Sequence, residues 1–418
     1  MTKPLSLKKN FAFTLFGNFA YGGAQWAMLM VIAKLGSPEM LGRFALAMAI
    51  TAPVVMFANL NLRTVIATDA DAKRPFGAYL GLRLLMLAAA LVVIVVLSVA
   101  SGHNRELALI TLLVGLAKSI EAVSDLFQGL MQQQEKMDRM TGSLIVKGIL
   151  SLAMFAAAMW ATRSLLWGAA SMVLSWALTL FAYDVGNARA CFIPGEAPSL
   201  RPLWARPHLR ALFLAAFPLG VSALLDTLVV NIPRYFVEGM LGERGLGFFA
   251  AMAYVPIVGA RVINALGTAA LPRLAKYYQR GEIREYRSLL LKILGVGAAI
   301  GAAGFLVVLV GGRQILTLLY KPEYAQHLDA FAWIMIASGI GYVALFMEYG
   351  LGAAQIFWIQ PFVIAGASTA LAAACVVLIP RYGITGAAMA MAVGAATQVA
   401  GNALITWRVL RTHGETKK

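Results

Sequence analysis

The feature that most constrains this chain is a recurrence: apolar stretches of twenty or so residues return from one end to the other. Each is long enough to cross ~30 Å of hydrocarbon as an α-helix. No stretch of comparable length between them is polar enough to form a separate soluble domain. Of the 418 residues, 60% are hydrophobic and only 13% are charged, with a mean hydropathy of +0.76. A soluble domain carries roughly 25% charged residues. The sequence therefore predicts an all-α integral membrane protein, since a helix satisfies its own backbone hydrogen bonds in lipid.

The apolar periodicity predicts about twelve transmembrane helices, at 11–35, 42–62, 76–100, 106–131, 141–162, 164–183, 209–233, 245–269, 288–311, 327–350, 356–379 and 383–408. Lys3, Lys8 and Lys9 precede the first run, which is too long for a signal peptide and has no convincing small-residue cleavage site. It is read as a retained helix. Residues 184–208 hold Pro194, Pro198, Pro202 and Pro207 with several arginines, and read as a cytoplasmic linker. The chain then divides into an N-terminal six-helix bundle, 1–183, and a C-terminal one, 209–418.

The net charge of +16 first raises the question of nucleic acid. Its placement answers that question. With the N-terminus inside, about 22 of the 35 Lys and Arg fall in inside loops and tails. The outside loops hold only Lys34, Arg43, Arg105, Arg163, Arg234, Arg244, Arg313, Lys321 and Arg381. Both termini are thus expected in the cytoplasm, and most of the excess charge sets topology and attracts anionic lipid. Nucleic acid is not an expected partner. A loose internal repeat is also present. Leu35-Gly36, Gly42-Arg43-Phe44-Ala45 and Pro53 are matched by Leu241-Gly242, Gly247-Phe248-Phe249-Ala250 and Pro256. Two such halves in one orientation are a common transporter plan.

Ionisable groups at membrane depth are costly, so each is a candidate for function, with pairing inside the bundle as the plainer alternative. The fourth span is richest. Lys118, Glu121, Asp125, Gln128 and Gln132 are spaced 3, 4, 3 and 4, which stacks them on one helical face. Arg83 and Lys147 fall at similar depth and are predicted to pair with Asp125 and Glu121, either as a functional cluster or as a structural rivet. Asp226 lies mid-span between Pro218 and Pro233, as a proton or sodium carrier or as a carboxylate neutralised by Arg261 or Arg63. Asn18, Tyr21 and Gln25 share a face of the first span. Asn59, Asn61 and Arg63 end the second, and Arg261 and Asn264 lie in the eighth. Together these groups point to a central cavity in which cations outnumber acids, suited to a phosphate or pyrophosphate headgroup.

Signals for catalysis are weak. The four histidines lie in loops or at span ends, no metal-ligand spacing appears, and there is no P-loop. Asp69-Ala70-Asp71 matches a metal–nucleotide-sugar motif but lacks a catalytic domain around it. No catalytic residue, metal or cofactor is expected.

Several stretches resemble a known family. FANLNLRTVIATD at 57–69 and AKSIEAVSDLFQGLMQQQEKMDRMTGSLIVKGILS at 117–151 are similar to O-antigen flippases of the Wzx type, in the multidrug/oligosaccharidyl-lipid/polysaccharide (MOP) superfamily. So are ALPRLAKYYQRGE at 270–282, like that superfamily's Pro-containing loop, and IPRYGITGAAMA at 379–390. The resemblance implies a MATE-like fold of two bundles around a central cavity, in the bacterial inner membrane. It implies ion-coupled export of a polyprenyl-pyrophosphate-linked oligosaccharide, with a proton or sodium as coupling ion and a polysaccharide polymerase complex as a further partner. On this reading Arg63, Arg83, Lys118, Lys147 and Arg261 hold the headgroup. Asp226, Asp125 and Glu121 couple the ion, and Asn18, Gln25 and Asn59 line the cavity. An exporter of cationic drugs shares the fold but calls for an acidic, aromatic site, and a membrane glycosyltransferase or polymerase calls for a large catalytic loop.

Overall fold

A computed structural model describes residues 7–68, 74–102, 104–191, 199–356 and 358–415. Among these residues the regular structure is entirely helical. In order the helices are α1 (Leu7–Leu35), α2 (Pro38–Asn59), α3 (Leu62–Thr68), α4 (Phe76–Ala100), α5 (Arg105–Gln133), α6 (Met137–Thr162), α7 (Leu165–Thr179) and α8 (Val185–Arg189). They are followed by α9 (Arg206–Tyr254), α10 (Ile257–Gln279), α11 (Ile283–Leu319), α12 (Leu328–Ala353) and α13 (Gln360–Glu415). Among the described residues nine helical stretches are long and apolar enough to cross a bilayer.

Local chemistry explains the helix ends. Ser37 caps α2 by accepting from the Met40 amide at 3.4 Å, with Pro38 in the first turn. Asn104 caps α5 by accepting from the Leu107 amide at 2.8 Å, and Glu106 sits at the positive end of its dipole. α2 stops where Leu60 and Asn61 both turn left-handed, at φ 47° and 49°, and α3 restarts at once. The two longest helices are each broken at a glycine. Gly242 (φ 71°) divides α9 and Gly383 (φ 58°) divides α13, in conformations that favour glycine over any side chain.

The sixth expected span departs from the reading at 183. A π-helical turn at Leu180–Asp184 follows α7, and the helix runs on through α8 to Arg189. The Pro-rich segment begins only at Pro194, so nothing earlier stops it. Asp184, expected at the start of a linker, is instead buried. The stretch read as a Pro-containing loop is also helical, because α10 continues past Pro272 to Gln279.

The chain forms two compact units, residues 1–231 and 232–418. In the first, α5 is the hub, packing on α2, α3, α4, α6 and α7. Its apolar side contributes Leu126, Phe127, Leu130 and Met131 to a core with Phe76, Tyr79, Met140 and Leu180. Leu212 and Ala216, from the start of α9, belong to that same core. In the second unit α12 is the hub, packing on α10, α11 and α13. Gly301 of α11 and Gly339 of α12 abut so closely that a Cβ on either would strike the other's backbone. The carbonyl of Pro256, in the gap between α9 and α10, accepts from Tyr342 Oη at 2.6 Å.

The internal repeat has structural counterparts. Gly36 lies in the gap after α1, and Gly242 at the kink of α9. Arg43 pairs with Glu106 at the start of α5 (2.8 Å), and Arg244 pairs with Glu323 just before α12 (3.5 Å). Each arginine thus ties the second span of its half to the start of the fourth.

Candidate functional site

The polar face of α5 forms one continuous network in the first unit. The left-handed step at Leu60 and Asn61 turns α3 so that Arg63 lies against α5. Its Nη1 donates to Asp125 Oδ1 at 2.8 Å and to Gln128 Oε1 at 3.4 Å, and its Nε to Gln132 Oε1 at 3.2 Å. The Arg63 and Asp125 side chains remain 28% and 32% exposed. Gly129 leaves room for this approach, since a Cβ there would press on Arg63.

One turn further along, Lys118 bonds Glu121 at 2.8 Å and lies 5.2 Å from the centroid of the Trp176 ring. Glu121 also accepts from the phenol of Tyr21 on α1, and Gln25 bonds the same phenol. Beside this pair Lys147, Ser124 and Asp184 form a buried chain. Lys147 Nζ donates to Ser124 Oγ at 2.5 Å, and Ser124 Oγ donates to Asp184 Oδ2. Gln128 closes the network through Ser143 at 3.0 Å. The other side of α5, with Ser119, Ile120, Val123 and Phe127, lines an apolar cavity of about 610 Å³ shared with α4 and α7.

The predicted partners are corrected by this geometry. Arg83 does not pair with Asp125 or Glu121; it is fully buried and donates to Asn59 Oδ1, while its Nε and Nη2 have no partner among the described residues. Asp125 is held by Arg63 instead, so Arg63 does not neutralise Asp226. Lys147 reaches Asp184 through Ser124 rather than bonding Asp125 or Glu121. Asp184 and Ser124 were missed. Asp184 falls at the expected linker boundary, and Ser124 gives no signal because an uncharged serine within a span is not costly. With Asp184 included, the network holds three cations (Arg63, Lys118, Lys147) against three carboxylates (Glu121, Asp125, Asp184), and Arg83, bonded only to Asn59, is a further buried cation outside it.

The remaining candidates fall apart from this network. Asn18 bonds its own helix at Thr14 O (2.8 Å). Asp226, on α9, has no ion-pair or hydrogen-bond partner among the described residues and is exposed. Arg261 and Asn264 belong to the second unit, one turn apart on α10. Asp69 and Asp71 lie outside the described residues.

Comparison with known proteins follows the same lines. The family model described as "Polysaccharide biosynthesis protein" matches residues 7–278, well over half of the chain. The capsular polysaccharide biosynthesis protein CapF of Staphylococcus aureus is 28% identical over 346 residues, covering 79% of this chain and 83% of CapF. Among solved structures, an inward-facing multidrug resistance MATE family transporter of the MOP superfamily aligns with a TM-score of 0.74 at 14% identity, covering 96% of each chain. The lipid II flippase MurJ, in an inward closed conformation, aligns at 0.73 with 10% identity, covering 95% of this chain and 87% of MurJ. At such identities these structures establish the fold alone, which is that of MATE transporters and MurJ. The chain is a multi-pass membrane protein and belongs to the polysaccharide biosynthesis protein family.

Proposed function

We propose that this chain exports a polyprenyl-pyrophosphate-linked oligosaccharide from the cytoplasmic to the outer leaflet of the bacterial inner membrane. It does so by ion-coupled alternating access of two six-helix halves, 1–183 and 209–418, with both termini cytoplasmic. The observation that carries this reading is the α5 network, in a chain whose family and fold are those of polysaccharide biosynthesis and transport. The network balances three cations with three carboxylates, and Arg83, bonded to no carboxylate, leaves the unit's buried charge positive, which favours an anionic ligand. Arg63 is the network's most exposed cation and lies at the expected cytoplasmic end of the second span. A pyrophosphate competes with Asp125 for the Arg63 guanidinium, which can bind either bidentately. Lys118 adds positive charge for the same headgroup, while Arg83 and Lys147 are too buried to meet it without rearrangement. Asp226, unpaired among the described residues, is the carboxylate best suited to carry a coupling proton or sodium, and Asp125 is freed when Arg63 turns to the cargo.

Deleting the gene and assigning lipid-linked oligosaccharide to each leaflet tests the reading. Accumulation on the cytoplasmic side, with loss of surface glycan, is the expected result. Normal leaflet distribution and normal surface glycan would refute it.

A further inference from the structure

The second unit holds a polar pocket that the network in the first does not involve. A cavity of about 320 Å³ is lined by Leu271, Leu345, Glu348, Tyr349, Gly352 and Gln360, from α10, α12 and the first turn of α13. That volume lies at the lower end of the ~300–1,000 Å³ typical of ligand sites. Glu348 accepts from Gln398 Nε2 at 2.6 Å, which orients its carboxylate, and an ionised carboxylate has room for several acceptor bonds. Tyr349 stands against α10 because Gly267 has no Cβ to obstruct its ring. Its hydroxyl is fixed by Asn264 Oδ1 at 3.1 Å and lies 3.3 Å from Thr268 Oγ1. Gln360 Nε2 is buried and has no hydrogen-bond partner among the described residues.

A buried N–H donor without an acceptor is costly, and costs least where a ligand satisfies it. The type of orphan identifies the ligand. A bare cation needs acceptors and leaves an amide N–H unsatisfied, and an anion is repelled by Glu348. A sugar hydroxyl fits both groups, since it donates to a carboxylate while accepting from an amide. The Tyr349 ring offers an apolar surface for the C–H face of a sugar ring. Among the described residues no basic side chain lines the cavity, so it suits the uncharged part of a cargo rather than its pyrophosphate. In the orientation proposed above, α10 and α12 both end on the cytoplasmic side, so the pocket lies where cargo is loaded.

We propose that this pocket binds a sugar ring of the exported lipid-linked oligosaccharide, with Glu348 and Gln360 as its hydrogen-bonding pair and Tyr349 as its apolar wall. This rests on the export reading. Full-length protein in nanodiscs is presented with two probes: the lipid-linked oligosaccharide that accumulates in cells deleted for the gene, and bare undecaprenyl pyrophosphate. Wild type is expected to bind the sugar-bearing lipid at least tenfold more tightly. Glu348→Gln and Gln360→Leu each remove most of that preference, while binding of the bare lipid stays within about twofold of wild type and certifies that the variants are folded. Variants that weaken both probes alike, or neither, would overturn the sugar pocket. So would binding of sodium or tetraphenylphosphonium that disappears in Glu348→Gln, which marks a cation site. Wild type that binds neither probe would overturn the export reading itself, and the pocket with it.

Discussion

Arg63 reaches Asp125, Gln128 and Gln132 only because α2 stops at Asn59 and the chain turns left-handed twice before α3 begins. The guanidinium is held by several acceptors yet stays partly exposed, which suits a group that exchanges one anionic partner for another. Arg63→Ala is therefore expected to cut export at least tenfold while leaving the amount of folded protein in the membrane unchanged, measured by surface glycan against immunoblot. Arg83 is the contrasting case. Wholly buried with two unpartnered nitrogens, it is a burden on stability. Arg83→Met is expected to leave the thermal unfolding midpoint level or higher, and a clear fall would show that the residue is a structural rivet. Lys147 differs again, because removing it strands Asp184 in the interior. Lys147→Ala should destabilise the protein by about 3 kcal/mol or more, and adding Asp184→Asn should restore part of that loss. Equal loss in the single and double variants would contradict the Lys147–Ser124–Asp184 chain.

At the scale of elements, the amphipathic α5 was legible in advance, because spacings of 3 and 4 fix which side chains share a face. The partners of that face were not legible, since they come from distant positions: Arg63 is 62 residues from Asp125, and Lys147 is 23 from Ser124. Asp184 became visible only once a π-helical turn carried the helix past its expected end. Glu348 gives a weaker signal than mid-span Asp226, because it falls two residues from the end of the expected span 327–350. Both glycine kinks fall where the apolar pattern already separates two spans, Gly242 between 209–233 and 245–269 and Gly383 at the boundary of 356–379 and 383–408. Gly242 and Gly383 have open space where a Cβ would stand, so substitution there tests backbone conformation alone. Gly242→Ala and Gly383→Ala are each expected to cost about 1–3 kcal/mol in unfolding measurements. A negligible change would mean that the positive φ is not required.

At the scale of the whole molecule, apolar recurrence and the distribution of Lys and Arg are properties of the entire chain, which is why membrane class was clear from sequence. The family follows from a match across residues 7–278, and the fold from likeness to MATE transporters and MurJ. What the chain carries is a chemical question, answered by a few side chains rather than by the fold. The central claim is that an anionic lipid-linked sugar crosses the bilayer through this protein by way of Arg63. The most direct measurement places purified wild type and Arg63→Ala in liposomes with fluorescent lipid-linked oligosaccharide, under an imposed proton or sodium gradient. Gradient-dependent transfer between leaflets by wild type, reduced at least tenfold by Arg63→Ala, is the predicted result. Transfer no faster than in protein-free liposomes, or transfer indifferent to Arg63, would contradict it.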